Sequence, residues 1–136
     1  MRLTTIVLDL LVVLAFAVAG QSSHYGSVTV SAVLLTAWPF AVGALVGWVV
    51  TGGAGWALRS LRAGAVIWPV TVILGMALRW LTGSGTALPF VVVATGVLGA
   101  GLLGWRAVAA LLARRAPEPH GGATPVTGTD SAGGTS

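Results

Sequence analysis

Three charged side chains lie inside the apolar part of this chain: Asp9, Arg79 and Arg106. They are the residues whose types and places could do chemistry. Asp9 interrupts Ile6-Val7-Leu8-Asp9-Leu10-Leu11-Val12-Val13, a run otherwise suited to lipid. A carboxylate so placed acts either as a counter-ion or as a handler of protons or cations. At about 1.5 Å of helix per residue, Asp9 lies roughly 8 Å into the first apolar segment and Arg106 roughly 10 Å from the end of the last. The two depths match if both segment ends face the same side of a membrane. The sequence thus suggests an Asp9–Arg106 pair, which offsets the cost of about 2.5–3.5 kcal/mol for a charge at the centre of a spanning helix. The other acids, Glu118 and Asp130, lie in the C-terminal tail. The alternatives are pairing of Asp9 with Arg59 or Arg62 at the interface, or a protonated Asp9.

Arg79 sits near the end of its segment with no acid close in sequence. Snorkelling of its guanidinium to lipid headgroups is the simpler reading. The functional reading is capture of an anion, with His24 and Tyr25 in the facing loop. His24 could also serve as a base toward Ser22 or Ser23, but a lone loop histidine is more simply a solvated residue. His120 lies in the tail without a clustered partner, so no metal role is expected. The chain contains no HExxH, Walker or GxSxG motif, and no two carboxylates lie together for acid–base work. It has no cysteine, hence no thiolate ligand or cysteine nucleophile. Neither an enzyme nor a cofactor is expected.

The elements that must position these residues follow from composition. The 136 residues are 56% hydrophobic and 7% charged, with a mean hydropathy of +0.95. A soluble domain carries roughly 25% charged residues, so lipid must cover most of this surface. All seven basic residues are arginine. They are too scattered, and too little interleaved with aromatics, for a nucleic-acid partner. Four apolar runs, at about 3–20, 30–51, 63–81 and 87–113, match the roughly 20 residues that cross a bilayer as a helix. Short joints, QSSHYGSVT, GGAGWALRSLR and TGSGT, make sequential neighbours antiparallel. The expected fold is therefore all-α, a multi-pass bundle of four transmembrane helices. An N-in/C-in orientation in the cell membrane puts Arg2, Arg59, Arg62, Arg114 and Arg115 on the cytoplasmic side, leaving Arg79 as the exception. Trp56, Trp80 and Trp38 lie near span ends, where indoles favour the interface. Residues 114–136 are nearly devoid of large apolar side chains and are expected to form a disordered cytoplasmic tail. Ala17-Val18-Ala19 before Gly20 has the outline of a signal-peptide cleavage site, but the basic region is minimal and Asp9 interrupts the apolar core, so the first span is expected to be retained.

Helical spacing groups the small and polar residues. Thr5, Asp9, Val13, Phe16 and Gly20 share one face of the first span. Thr36, Pro39, Gly43 and Gly47 share one face of the second, and Gly64, Trp68, Thr71, Gly75 and Arg79 one face of the third. Thr95, Gly99, Arg106 and Ala110 do so in the fourth. Gly43-x-x-x-Gly47 and Gly96-x-x-x-Ala100-x-x-x-Gly104 permit close backbone approach, and plain helix packing is their expected use. Trp38-Pro39 and Trp68-Pro69 recur thirty residues apart. Prolines could kink these helices around a cavity, but a two-residue match is read as coincidence.

These residues also form a familiar order. Asp9 is followed by Gly20-Gln21-Ser22-Ser23-His24, by Thr36-Ala37-Trp38-Pro39-Phe40, by Gly75-Met76 with Arg79, and by Gly85-Thr86. Phe90-Val91-Val92-Val93-Ala94 and Gly104-Trp105-Arg106 complete it. Over about residues 4–113 the chain resembles the small four-helix membrane proteins of domain-of-unknown-function family 3054. The resemblance implies a four-span integral membrane protein and singles out Asp9, His24, Trp38, Pro39, Arg79 and Arg106; it implies no activity. This chain has Gln21 where the family often carries a basic residue, which weighs against an anion site in that loop. The sequence leaves two functional readings. One is a structural or accessory component of the bilayer, as a homo-oligomer or in a larger membrane complex. The other is a small oligomeric transporter or channel that uses Asp9, Arg79 and Arg106.

Overall fold

The computed structural model describes residues 2–25 and 27–117. They form four α-helices: α1 (Arg2–Tyr25), α2 (Val30–Gly53), α3 (Leu61–Leu81) and α4 (Leu88–Arg115). All four are long and apolar enough to cross a membrane, and the shortest, α3 with 21 residues, extends about 31 Å. The chain is a multi-pass membrane protein of four helices.

Local chemistry explains where each helix starts. Thr29 caps α2 by accepting a hydrogen bond from the Ala32 amide, and Ser60 caps α3 by accepting from the Ala63 amide. Ala87 precedes α4 without a side-chain cap, and a proline follows in the first turn. The turn from α3 into α4 passes through Gly83 and Gly85, both at positive φ, where other residues would be strained. The first helix departs from expectation. It continues past Gly20 to Tyr25, because the Gln21 side chain reaches α2, donating to Thr36 Oγ1 at 2.7 Å and toward the Ala32 carbonyl at 3.4 Å. His24 thus belongs to the last turn of α1 and not to a loop; its side chain lies outside what is described. Residues 118–136, most of the expected tail, also lie outside the described residues, and α4 itself runs two residues beyond the expected end of its span.

The helices pack in a ring, with α1 against α2 and α4 and α3 against α2 and α4. Glycines set the closest contact. A Cβ on Gly43 would lie 2.8 Å from the Thr71 backbone, and one on Gly47 would lie 3.1 Å from Ile67 Cα. Small residues here let α2 and α3 approach closely. The second small-residue pattern does not serve this purpose. Gly96 and Gly104 have open space where a Cβ would sit, and with Ala100 they border a groove between α3 and α4. The inward line of α4 is instead Ala94, Leu98, Leu102 and Arg106, one turn apart each. Phe16, Phe40 and Phe90 form the centre of one half of the bundle, with ring centroids 5.1–6.3 Å apart. Gly75 of α3 leaves room for the Phe40 ring. Leu35, Val49, Ile73, Val92 and Leu112 stay exposed on the perimeter, where lipid would cover them.

Candidate functional site

The first span's polar face points inward: Thr5, Asp9, Val13 and Phe16 are all buried. This places the Asp9 carboxylate at the centre of the second half of the bundle, where Arg106 of α4 meets it. Arg106 Nη1 donates to Asp9 Oδ1 at 2.7 Å and Nη2 to Oδ2 at 2.8 Å. Both side chains are 0% exposed. The parallel pair of bonds is the fork geometry in which arginine binds carboxylate most strongly.

Two tryptophans complete the carboxylate's surroundings. Trp48 of α2 donates its indole N–H to Oδ2, and Trp105 of α4 donates to Oδ1, each at 2.9 Å. A carboxylate offers about four acceptor positions, and here all four are filled. Arg106 is served almost as fully. Its Nε donates to the Leu58 carbonyl in the α2–α3 connection at 3.0 Å, and Nη1 also donates to the Leu102 carbonyl at 2.8 Å. The guanidinium lies over the Trp105 ring at 4.5 Å. On α3, Gly64 makes room for it, since a Cβ there would come within 2.7 Å of Arg106 Cδ. One ion pair therefore ties together α1, α2, α4 and the connection into α3. Breaking such a buried pair from one side leaves an uncompensated charge in a low dielectric, a loss of about 3–5 kcal/mol.

Arg79 lies at the other end of the bundle. Its Nε donates to the Gly85 carbonyl at 3.3 Å and Nη2 to the Ser84 carbonyl at 3.2 Å. Its guanidinium stacks over Phe90 at 4.3 Å. The carbonyls of the tight α3–α4 turn and the aromatic face hold it back over the bundle. The remaining singled-out residues are placed apart from these two. Trp38 is exposed on the perimeter of α2, and Pro39, beside it, is buried within a continuous helix. Trp56 packs under Arg62, 5.6 Å from its guanidinium, and Trp80 is exposed at the end of α3. Trp68 donates its indole N–H to the Thr95 carbonyl and so joins α3 to α4.

Sequence reasoning missed Trp48, Trp105 and the Leu58 carbonyl. Trp48 gave a signal, since an indole well inside a span carries a donor that lipid cannot satisfy. Trp105 gave another by adjoining Arg106. The Leu58 carbonyl gave none, being a backbone group in a connection.

No curated protein and no solved structure matches the chain. A family described as "Protein of unknown function (DUF3054)" matches residues 6–109, a stretch that holds Asp9, Trp48, Arg79, Trp105 and Arg106 alike. By that match, over most of its length and all four helices, the chain belongs to the DUF3054 family.

Proposed function

We propose that the protein is a structural or accessory component of the cell membrane, a four-helix unit of antiparallel spans with both termini in the cytoplasm. It would work as a partner in a larger membrane complex or as a homo-oligomer, and not as an enzyme. The observation that carries this reading is the saturation of Asp9. Four donors converge on its two oxygens, and no part of it is exposed. A carboxylate that passes ions or protons must exchange partners during each cycle. This one is built as a fixed counter-ion whose loss would loosen every helix contact it touches. The orientation rests on Arg2, Arg59, Arg62, Arg114 and Arg115, which the positive-inside tendency assigns to the cytoplasmic side.

Thermal unfolding of Asp9→Asn and of Asp9→Asn/Arg106→Gln in detergent tests the reading. The single variant should be clearly less stable than wild type, and the doubly neutral one should recover part of the loss. An Asp9→Asn protein as stable as wild type would overturn it, because the charge would then be kept for ion handling.

A small oligomeric transporter or channel is the second reading. It rests on two cavities at opposite ends of the bundle. One, of about 380 Å³, is bordered by Arg2, Trp56 and Arg59; the other, of about 370 Å³, is bordered by Gln21, Thr36 and Arg79. Proteoliposomes that carry a solute or ion flux abolished by Asp9→Asn, with the fold intact, would favour it.

A further inference from the structure

The bundle end that holds Arg79 contains two adjoining cavities, of about 370 and 210 Å³, which share Gln21, Thr36, Arg79 and Ser84. Arg79 is fixed on their wall. The carbonyls of Ser84 and Gly85 and the Phe90 ring set the plane of its guanidinium. Fixing the fork in advance lowers the entropy lost when it meets a ligand.

Thr36 adds a second polar group to the cavity wall. It is only 6% exposed, and its Oγ1 accepts from Gln21 Nε2 at 2.7 Å. The same Gln21 nitrogen lies 3.4 Å from the Ala32 carbonyl. The Thr36 hydroxyl accepts in this contact and can still donate one hydrogen bond. Thr36 borders both cavities, so that donor can serve a ligand there. Gln21 enters here as the group that orients Thr36, so no cation is needed at its position.

Among the described residues, Arg79 is the charged side chain at this end. Of the chain's three acids, Asp9 is neutralised by Arg106 in the other half of the bundle. Glu118 and Asp130 follow the far end of α4. Near the end of α3, the Leu78, Arg79 and Trp80 carbonyls accept from the Thr82 amide and hydroxyl and the Ser84 and Gly83 amides. The first turn of α4, by contrast, has no side-chain cap, and Ala87 and Phe90 border the smaller cavity. Amide donors at a helix start favour an anion when a cation stands beside them.

We propose that this end of the bundle binds an oxyanion of the phosphate class, held by the Arg79 guanidinium and the Thr36 hydroxyl, with Ser84 at the rim. The phosphate can come from a lipid headgroup or from a free anion. The test uses the full-length protein in a maltoside detergent, which carries no phosphate. Inorganic phosphate and dioctanoyl phosphatidylglycerol are titrated separately by calorimetry. One of them should saturate at one site per chain. Thr36→Val should weaken that binding about tenfold, the effect of losing one hydrogen bond to a charged group. Arg79→Gln should abolish it, Arg79→Lys should retain it in weakened form, and Arg62→Gln at the opposite end should leave it unchanged. Saturation by inorganic phosphate names a free anion as the ligand; saturation by phosphatidylglycerol alone names a headgroup. Because Arg79 also braces the α3–α4 turn, Thr36→Val and Arg79→Lys carry the test if Arg79→Gln does not fold. If neither probe saturates, or if Thr36→Val and Arg79→Lys both bind as wild type does, the proposal is wrong.

Discussion

Asp9 and Arg106 are 97 residues apart in sequence and meet side by side through two hydrogen bonds of 2.7 and 2.8 Å, wholly buried. The contact is directional. The acid end also receives two indole donors, and the base end also gives to two backbone carbonyls. Net charge alone does not define it.

A charge swap should therefore fail to restore the bundle. In Asp9→Arg/Arg106→Asp, the indoles of Trp48 and Trp105 would face a guanidinium that accepts nothing, and the Leu58 and Leu102 carbonyls would face a carboxylate. Each single neutralisation should cost about 3–5 kcal/mol. The swapped protein should be no more stable than either single variant. Unfolding in mixed micelles measures this, and a swap that recovers wild-type stability would show that charge balance is enough.

Trp48→Phe and Trp105→Phe each remove one donor from a buried carboxylate while keeping an aromatic ring. Each should cost about 1.5–3 kcal/mol, the range for a hydrogen bond to a charged group. In an Asp9→Asn background the same changes should cost less, because the indoles then donate to a neutral acceptor. A double-mutant cycle on thermal stability reads the coupling directly. Additive losses would mean that the indoles act through packing and not through Asp9.

The chain's charges and glycines made much of this legible, and the reasons are physical. Lipid leaves a buried charge few partners, so one acid and one arginine at matching depth point to each other. Thr36, Pro39, Gly43 and Gly47 fall on one buried face because helical spacing alone decides which residues align. What stayed hidden depends on groups that spacing does not register. The Leu58 carbonyl belongs to a connection, and Gln21 extends α1 through a contact with a different helix. The Gly96, Ala100 and Gly104 pattern could face a neighbour or the perimeter, and only the position of α3 decides that it borders an open groove. The turn carbonyls and the Phe90 ring that contact Arg79 are set by the α3–α4 turn, which helical spacing within α3 does not register.

The two small-residue patterns should respond differently to the same change. In Gly43→Ala the new methyl meets the Cα and carbonyl oxygen of Thr71 at 2.8 Å, and backbone cannot turn aside as a side chain can. Helices α2 and α3 must separate, at a cost of about 1–3 kcal/mol. Gly96→Ala meets nothing within 4 Å and removes a helix-weakening glycine, so it should be neutral or up to about 1 kcal/mol stabilising. Equal losses at both positions in thermal unfolding would mean that the groove beside Gly96 is filled when the protein is in detergent.

Topology is open to a clean test because the chain has no cysteine. Val28, in the α1–α2 connection, and Ala57, in the α2–α3 connection, are both exposed, and Ala116 follows the end of α4. Single cysteines at these three positions leave the buried node and the Arg79 cavity untouched. A membrane-impermeant thiol reagent applied to intact cells should label Val28→Cys and spare Ala57→Cys and Ala116→Cys until the membrane is broken. This follows from the five arginines at the end of the bundle that holds Ala57 and Ala116, against Arg79 alone at the other. The reverse pattern would put Arg79 and its cavities on the cytoplasmic side, and the anion it meets would then be drawn from the cell interior or the inner leaflet. Labelling of all three in intact cells would mean that the chain inserts in both orientations, as expected only if Arg79 counts against the other five.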